Sequence, residues 1–195
     1  MVPLLPAFHT RCPEVEVEAL VSDRFVDLVE DGVDVAIRIG DLADSALVAR
    51  RIAATQRVTV AAPGYLERMG EPAGPHDLDR HACIGFVFQR QVRPWRFQTA
   101  DGMVEHRPRG PLRTNDAEHV QAATLAGLGI AQAPRWLVSA ELGDGRLREV
   151  LAAWPSERTP IHAVHPGGRR PPGKLRAFVD FLAAAYERDP ELRPR

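Results

Sequence analysis

Charge of one sign, cysteine and long apolar runs are all scarce in this sequence, and each scarcity removes a class of protein. Lys and Arg total 25 against 26 Asp and Glu, a formal net charge of −1, so the chain lacks the broad positive field on which sequence-independent binding to DNA or RNA rests. By itself it is a poor nucleic-acid binder. No apolar run approaches the roughly 18 to 20 residues of a membrane-spanning helix. The opening MVPLLPAFHTRCP has no basic segment, no long apolar segment and no small-residue cleavage site, so a secretory leader is not expected and the protein is placed in the cytosol, with no membrane partner. Cys12 and Cys83 are the two cysteines, too few and too far apart for a disulfide framework or a metal site. Both read as small packing residues.

Catalytic motifs are missing as well. There is no G-x-S-x-G, no H-E-x-x-H and no phosphate-binding loop, and the G-x-G of Gly127 to Gly129 follows a helical pattern where a dinucleotide fingerprint would open one. His162 and His165 are three apart on a strand-like run and face opposite sides, so they do not chelate together. His76 and His81 share a loop with Asp77 and Asp79, which in a Pro/Gly-rich setting reads as turn and capping chemistry. The expectation is no enzyme, no metal and no cofactor.

What is present begins with residues 22–40, SDRFVDLVEDGVDVAIRIG. Ser22 suits a helix cap, Asp23 its first turn, and Phe25, Leu28 and Val29 recur on one helical face until Gly32, where positive φ stops the helix. From Val33 the period changes to 2: Val33, Val35, Ile37 and Ile39 alternate against Asp34, Ala36 and Arg38, which is a strand. Arg38 to Gly40 therefore lie at a strand's carboxyl end, where open α/β sheets place their ligand crevice.

Upstream, Leu4, Leu5, Phe8 and Cys12 give a short helix over about residues 3–11, and EVEVEALV (14–21) alternates as a strand with its glutamates in solvent. Downstream, LVARRIA and RVTVAAP read as two short strands. Alternating helices and strands predict α/β architecture with mainly parallel pairing. Pro63, Gly64, Gly70, Pro72, Gly74 and Pro75 change the texture near residue 62, where a second lobe begins. In it ACIGFVF, RPWRFQ, MVEHR and GPLRT are strand-like. A helix is predicted from Asn115 to about Leu125, with Glu118 placed for a capping box. Thr114 and Asn115 precede that helix, whose free N–H groups suit a carboxylate, although Asp116 competes. GIAQAP is a strand, 135–142 a helix, RLREVL and TPIHAV strands. Leu175, Phe178, Val179, Leu182, Ala185 and Tyr186 mark a final amphipathic helix.

Taken together, SDRFVDLVEDGVDVAIRIG, DSALVARRIA, VAAPGYLERMGEPAGPHDLDRHACIGF, RTNDAEHVQAATLAGLGIAQAP, GRLREVL and KLRAFVDFLA resemble, in collinear order, the effector-binding domain of LysR-type transcriptional regulators. The resemblance implies two periplasmic-binding-protein-like (type II) α/β subdomains joined by two crossover strands: residues 1–61 plus 162–189, and residues 62–161, with 190–195 a frayed tail. It implies a small organic effector, a carboxylate suiting the positions concerned, held in a cleft by Arg38, Gly40, Thr114, Asn115, Phe86 and Gly129. It also implies a homodimer or higher oligomer, and DNA contact only through a helix-turn-helix that this chain lacks. The family's first strand is missing as well, which marks the chain as a truncated, mis-started or degenerate form. The competing readings are a cytosolic enzyme or solute-binding protein on the same scaffold, and a truncated module that pairs with a full-length regulator.

Overall fold

The computed structural model of the protein describes residues 1–22, 27–40, 42, 47–166 and 172–193. In chain order these form α1 (Leu5–Arg11), β1 (Ala36–Ile39), β2 (Leu47–Ala61), α2 (Pro63–Met69), β3 (Cys83–Phe88), β4 (Gln91–Val92), β5 (Trp95–Thr99), β6 (Gly102–His106), β7 (Arg113–Thr114), α3 (Ala117–Leu125), β8 (Ile130–Pro134), α4 (Arg135–Gly143), β9 (Arg148–Val150), β10 (Arg158–Pro166) and α5 (Gly173–Arg188). Two compact units result, Met1–Thr55 with Thr159–Arg195, and Gln56–Arg158. Both boundaries fall inside strands, β2 and β10.

In the first unit β1 pairs antiparallel with β10, from Ala36↔Val164 to Ile39↔Ile161, and β10 neighbours β2. The core is built from the faces that periodicity marked. Leu175, Phe178, Val179, Leu182 and Tyr186 of α5 are buried with Phe8, Ile52, Ala53, Ile161 and Ala163. The Phe8 and Phe178 rings meet edge to face at 5.1 Å. The turn before β1 is a single helical turn over residues 28–32. Asp27 Oδ1 accepts the N–H of Val29 at 3.0 Å and of Glu30 at 3.2 Å. Gly32 at φ +66 closes it, with the Val33 N–H reaching back to the Leu28 carbonyl, a left-handed termination that glycine permits. Asp23 and Phe25, assigned to this helix from sequence, lie outside the described residues.

Three expectations are corrected here. Residues 14–21 form no ladder among the described strands. Val15 and Val17 do pack on the core, yet Leu20 and Val21 are fully in solvent. Alternation sets which side chains face inward, but a strand also needs a neighbour for its N–H and C=O groups. The sheet strand β1 starts at Ala36, not Val33. Residues 190–193 do not fray: the Leu192 carbonyl accepts the Ala54 N–H at 3.0 Å, and Leu192 packs on the core.

In the second unit β2 pairs antiparallel with β8 and β9, whereas β3 pairs parallel with β8 and with β7 and antiparallel with β4. The pairing is mixed, not mainly parallel. LVARRIA and RVTVAAP form one strand, β2, because nothing between them breaks extended backbone. Val58, Val60, Ile84, Ala131 and Ala133 pack on one side with Val120 of α3 and Val138 of α4. Ala61, Cys83 and Ile130 pack with Tyr65, Trp95 and Phe97. Burial on both faces accounts for the nearly unbroken apolar runs of these strands.

Gly129 sets how closely β8 approaches β3. The Ile130 N–H donates to the Ala82 carbonyl at 2.8 Å, and a Cβ on Gly129 would overlap that oxygen and lie 3.0 Å from the carbonyl carbon. Backbone at that distance has no free volume to give. Gly129→Ala is expected to lower stability by about 1–3 kcal/mol, seen as a fall in the urea midpoint with an unchanged m-value.

Candidate functional site

In the first unit the β1–β10 ladder fixes the two sequence-identified residues. Arg38 is half-buried and stands opposite His162, so the two side chains share a face. Gly40 adopts φ +122 and donates its N–H to the Pro160 carbonyl at 2.9 Å, ending the ladder in a conformation that side chains disfavour. His162 was not singled out as a binding residue from sequence. Its Nδ1 is buried without a hydrogen-bond partner. Only the ladder register could have revealed it.

In the second unit the parallel pairing of β3 with β7 and β8 gathers carboxyl strand ends, the usual ligand edge of such sheets. Phe86 is in register with Thr114, and Arg93 stands across from Phe86 on the other side, its N–H donating to the Phe86 carbonyl at 2.8 Å. Arg93, Phe86 and Thr114 thus form one row of side chains. The Thr114 hydroxyl accepts the Asp116 N–H at 3.1 Å and shares a hydrogen bond with His119 Nδ1 at 3.3 Å.

The helix after Thr114 is capped one residue later than expected. Asp116 is the cap: its Oδ1 accepts from Glu118 N at 2.7 Å and His119 N at 3.1 Å, bonds that hold its carboxyl below the ordinary range. Those N–H groups are therefore already met by a carboxylate. This weakens the case for a ligand anion at the α3 terminus. Asn115 is exposed beside the cap. Gly129 precedes β8, beside Ala82 and so at the amino end of the parallel strands. The structure brings Phe86 and Thr114 together but sets Gly129 at the opposite end.

Arg57 is a further residue that sequence reasoning missed. Ser156 pins its backbone from both sides, accepting the Arg57 N–H at 3.0 Å and donating to its carbonyl at 2.8 Å. Its guanidinium lies 5.8 Å from the centre of the Phe86 ring and donates to the Gln132 carbonyl at 3.2 Å. One arginine in a β-prone run carries no sequence signal for such a role.

A cavity of about 520 Å³ in the same unit contains none of these residues; Pro75, His76, Asp79, His81, His106 and Arg109 line part of it. Asp77 closes its loop by accepting the N–H groups of Ala73 and Gly74 at 2.8 and 3.2 Å. No group of three metal-ligating side chains occurs among the described residues. His106 is 10% exposed and 3.5 Å from Asp79, and it stacks obliquely on Trp95. Burial pushes His106 and His81 below the ordinary 6.5, outweighing the opposite pull of Asp79 on His106 and of Asp77 on His81; Arg109 assists at His106.

With candidate residues at strand ends of α/β sheets, and with a chain that leaves one unit, builds the other and returns, the fold is that of a ligand-binding α/β protein. The LysR substrate binding domain matches residues 1–187, and the chain belongs to that family. It is 36% identical over 184 residues to the HTH-type transcriptional regulator PtxR of Pseudomonas aeruginosa, covering 94% of this chain and 59% of PtxR. Its fold is similar to the CrgA regulatory domain of Neisseria meningitidis, with a TM-score of 0.85, 29% identity, and coverage of 94% and 90% of the two chains. It is also similar to the full-length virulence activator AphB of Vibrio cholerae, with a TM-score of 0.82 at 28% identity, covering 95% of this chain and 63% of AphB. Such relatives are transcription regulators, which favours sensing over catalysis. The chain spans less than two thirds of the whole regulators it matches.

A histidine whose folded pKa is depressed takes its proton later than the unfolded chain does. Stability therefore holds above about pH 6.5 and falls as the pH drops through that value. The urea midpoint is expected to decline between about pH 7 and about pH 5, with a shallower decline in His106→Gln.

Proposed function

We infer that this chain is the effector-sensing and oligomerising part of a LysR-type transcription regulator that works in the cytoplasm as a homodimer or higher oligomer. The regulator reaches DNA through a helix-turn-helix outside this sequence. The collinear family match over residues 1–187 carries this reading, and the near-complete overlap with the CrgA regulatory domain supports it. No helix among the described residues is long and apolar enough to cross a membrane. The effector is a small organic molecule, and the cationic residues at the strand ends favour a carboxylate. Arg38 and Gly40 are the candidates in the first unit, and Phe86, Thr114 and Asn115 those in the second; Gly129 lies at the opposite strand ends. Sensing then means that the effector prefers one of two conformations of the domain and shifts their populations.

Thermal-shift screening against aromatic and aliphatic acids tests this. A bound effector stabilises the fold by RT ln(1 + [L]/Kd), about 2.7 kcal/mol at a hundredfold excess over Kd. Arg38→Ala and Thr114→Ala are expected to weaken the response to a confirmed hit. An unchanged Kd in both variants would remove these residues from the site.

A further inference from the structure

Two half-buried arginines of the second unit stand apart from those that pair with carboxylates. Arg135 holds Glu149 through two N–H donors at 2.8 Å, Arg146 pairs with Asp144 and Glu141, and Arg148 pairs with Glu71. Arg57 and Arg93 differ. Neither has a carboxylate within ion-pair distance among the described residues, although both are half-buried.

Geometry holds the two on a shared support. Arg93 lies across the β3–β4 hairpin from Phe86 and is hydrogen-bonded to its carbonyl. The Arg57 guanidinium lies over the ring of the same phenylalanine. At that distance the ring attracts the cation without occupying its N–H donors; the Gln132 carbonyl accounts for one of them, and the rest suit a planar acceptor. The next side chain in the row is Thr114, a hydroxyl one strand away.

We propose that Arg57 and Arg93 form a two-guanidinium clamp for the carboxylate of an organic acid on the Phe86–Thr114 face of the second unit. Two like charges, partly removed from water and lacking a counter-ion, raise the energy of the empty state, and an anion between them lowers it. Burial pulls both guanidinium pKa values down, Arg57 to about 10 with the charge of Arg93 as the second cause. Each still carries its charge at neutral pH. The clamp rests on the sensing reading above and adds to it two residues that hold the ligand's carboxylate.

Acetate and benzoate serve as probes, titrated into the whole chain in a zwitterionic buffer, with sodium chloride, inorganic phosphate, acetamide and benzamide as controls. The clamp predicts saturable stabilisation by a carboxylate beyond that of chloride at equal ionic strength, and none from the amides. Arg57→Gln and Arg93→Gln each raise the carboxylate Kd on the order of tenfold or more, whereas the exposed Arg96→Gln leaves it unchanged. In anion-poor buffer the two clamp variants melt no lower than the parent, because a like-charge repulsion has been removed. The proposal is overturned if neither carboxylate gives a saturable shift, if phosphate alone does, or if both clamp variants bind as the parent does. Amide hydrogen exchange along β2 and β10, with and without probe, judges the sensing reading separately. Carboxylate binding with unchanged exchange would end the sensing reading and leave the clamp. A neutral compound that binds and alters exchange, with no carboxylate response, would end the clamp and leave sensing.

Discussion

β2 is a single strand of fifteen residues that belongs to both units, and the arrangement of side chains on either side depends on its continuity. Its Ile52 and Ala53 are buried with α5 in the first unit, and Val58 and Val60 with β8, α3 and α4 in the second. Ser156 takes both backbone polar groups of Arg57, and the Gln56 side chain donates to the Ser156 carbonyl at 3.1 Å. The strand is thus locked where it enters the second unit, and Arg57 is aimed by backbone bonds that do not involve its charge. The Gln132 carbonyl and the Phe86 ring are what hold its guanidinium.

The electrostatics of the second unit follow from where carboxylates are and are not. Glu149, Glu141, Asp144 and Glu71 meet arginines around α4 and β9, and Asp116 meets the N–H groups of α3. Near Phe86 the positive charge is left over. That cationic potential at the carboxyl strand ends is what the proposed clamp rests on, while the histidine-lined cavity carries the pH dependence of stability.

Much of the fold was legible because it rests on local periodicity. α5 repeats at helical spacing and buries five of the six residues that spacing selects, Ala185 being half-buried. Gly32 ends its turn with positive φ as its position implied. Errors arose where partners matter more than period: residues 14–21 alternate without a pairing neighbour among the described strands, and the sign of strand pairing is set by chain paths that no single segment encodes. The α3 cap moved from Asn115 to Asp116 because either side chain can accept the first N–H groups, and the backbone decides. Of the candidate residues, Arg38 and Gly40 were legible as a strand end and Thr114 as the residue before a helix, whereas Phe86 came only with the family resemblance. Arg57, Arg93 and His162 were not legible, since their roles come from register across strands: Arg93 opposite Phe86, His162 opposite Arg38.

Side-chain Nε–H resonances of arginine report on each guanidinium separately. When benzoate is titrated into the labelled protein, the signals of Arg57 and Arg93 should shift together along one binding curve, and their exchange with water should slow while the exposed Arg96 stays unchanged. Shifts confined to exposed arginines, or signals of Arg57 and Arg93 that ignore the carboxylate, would contradict the account.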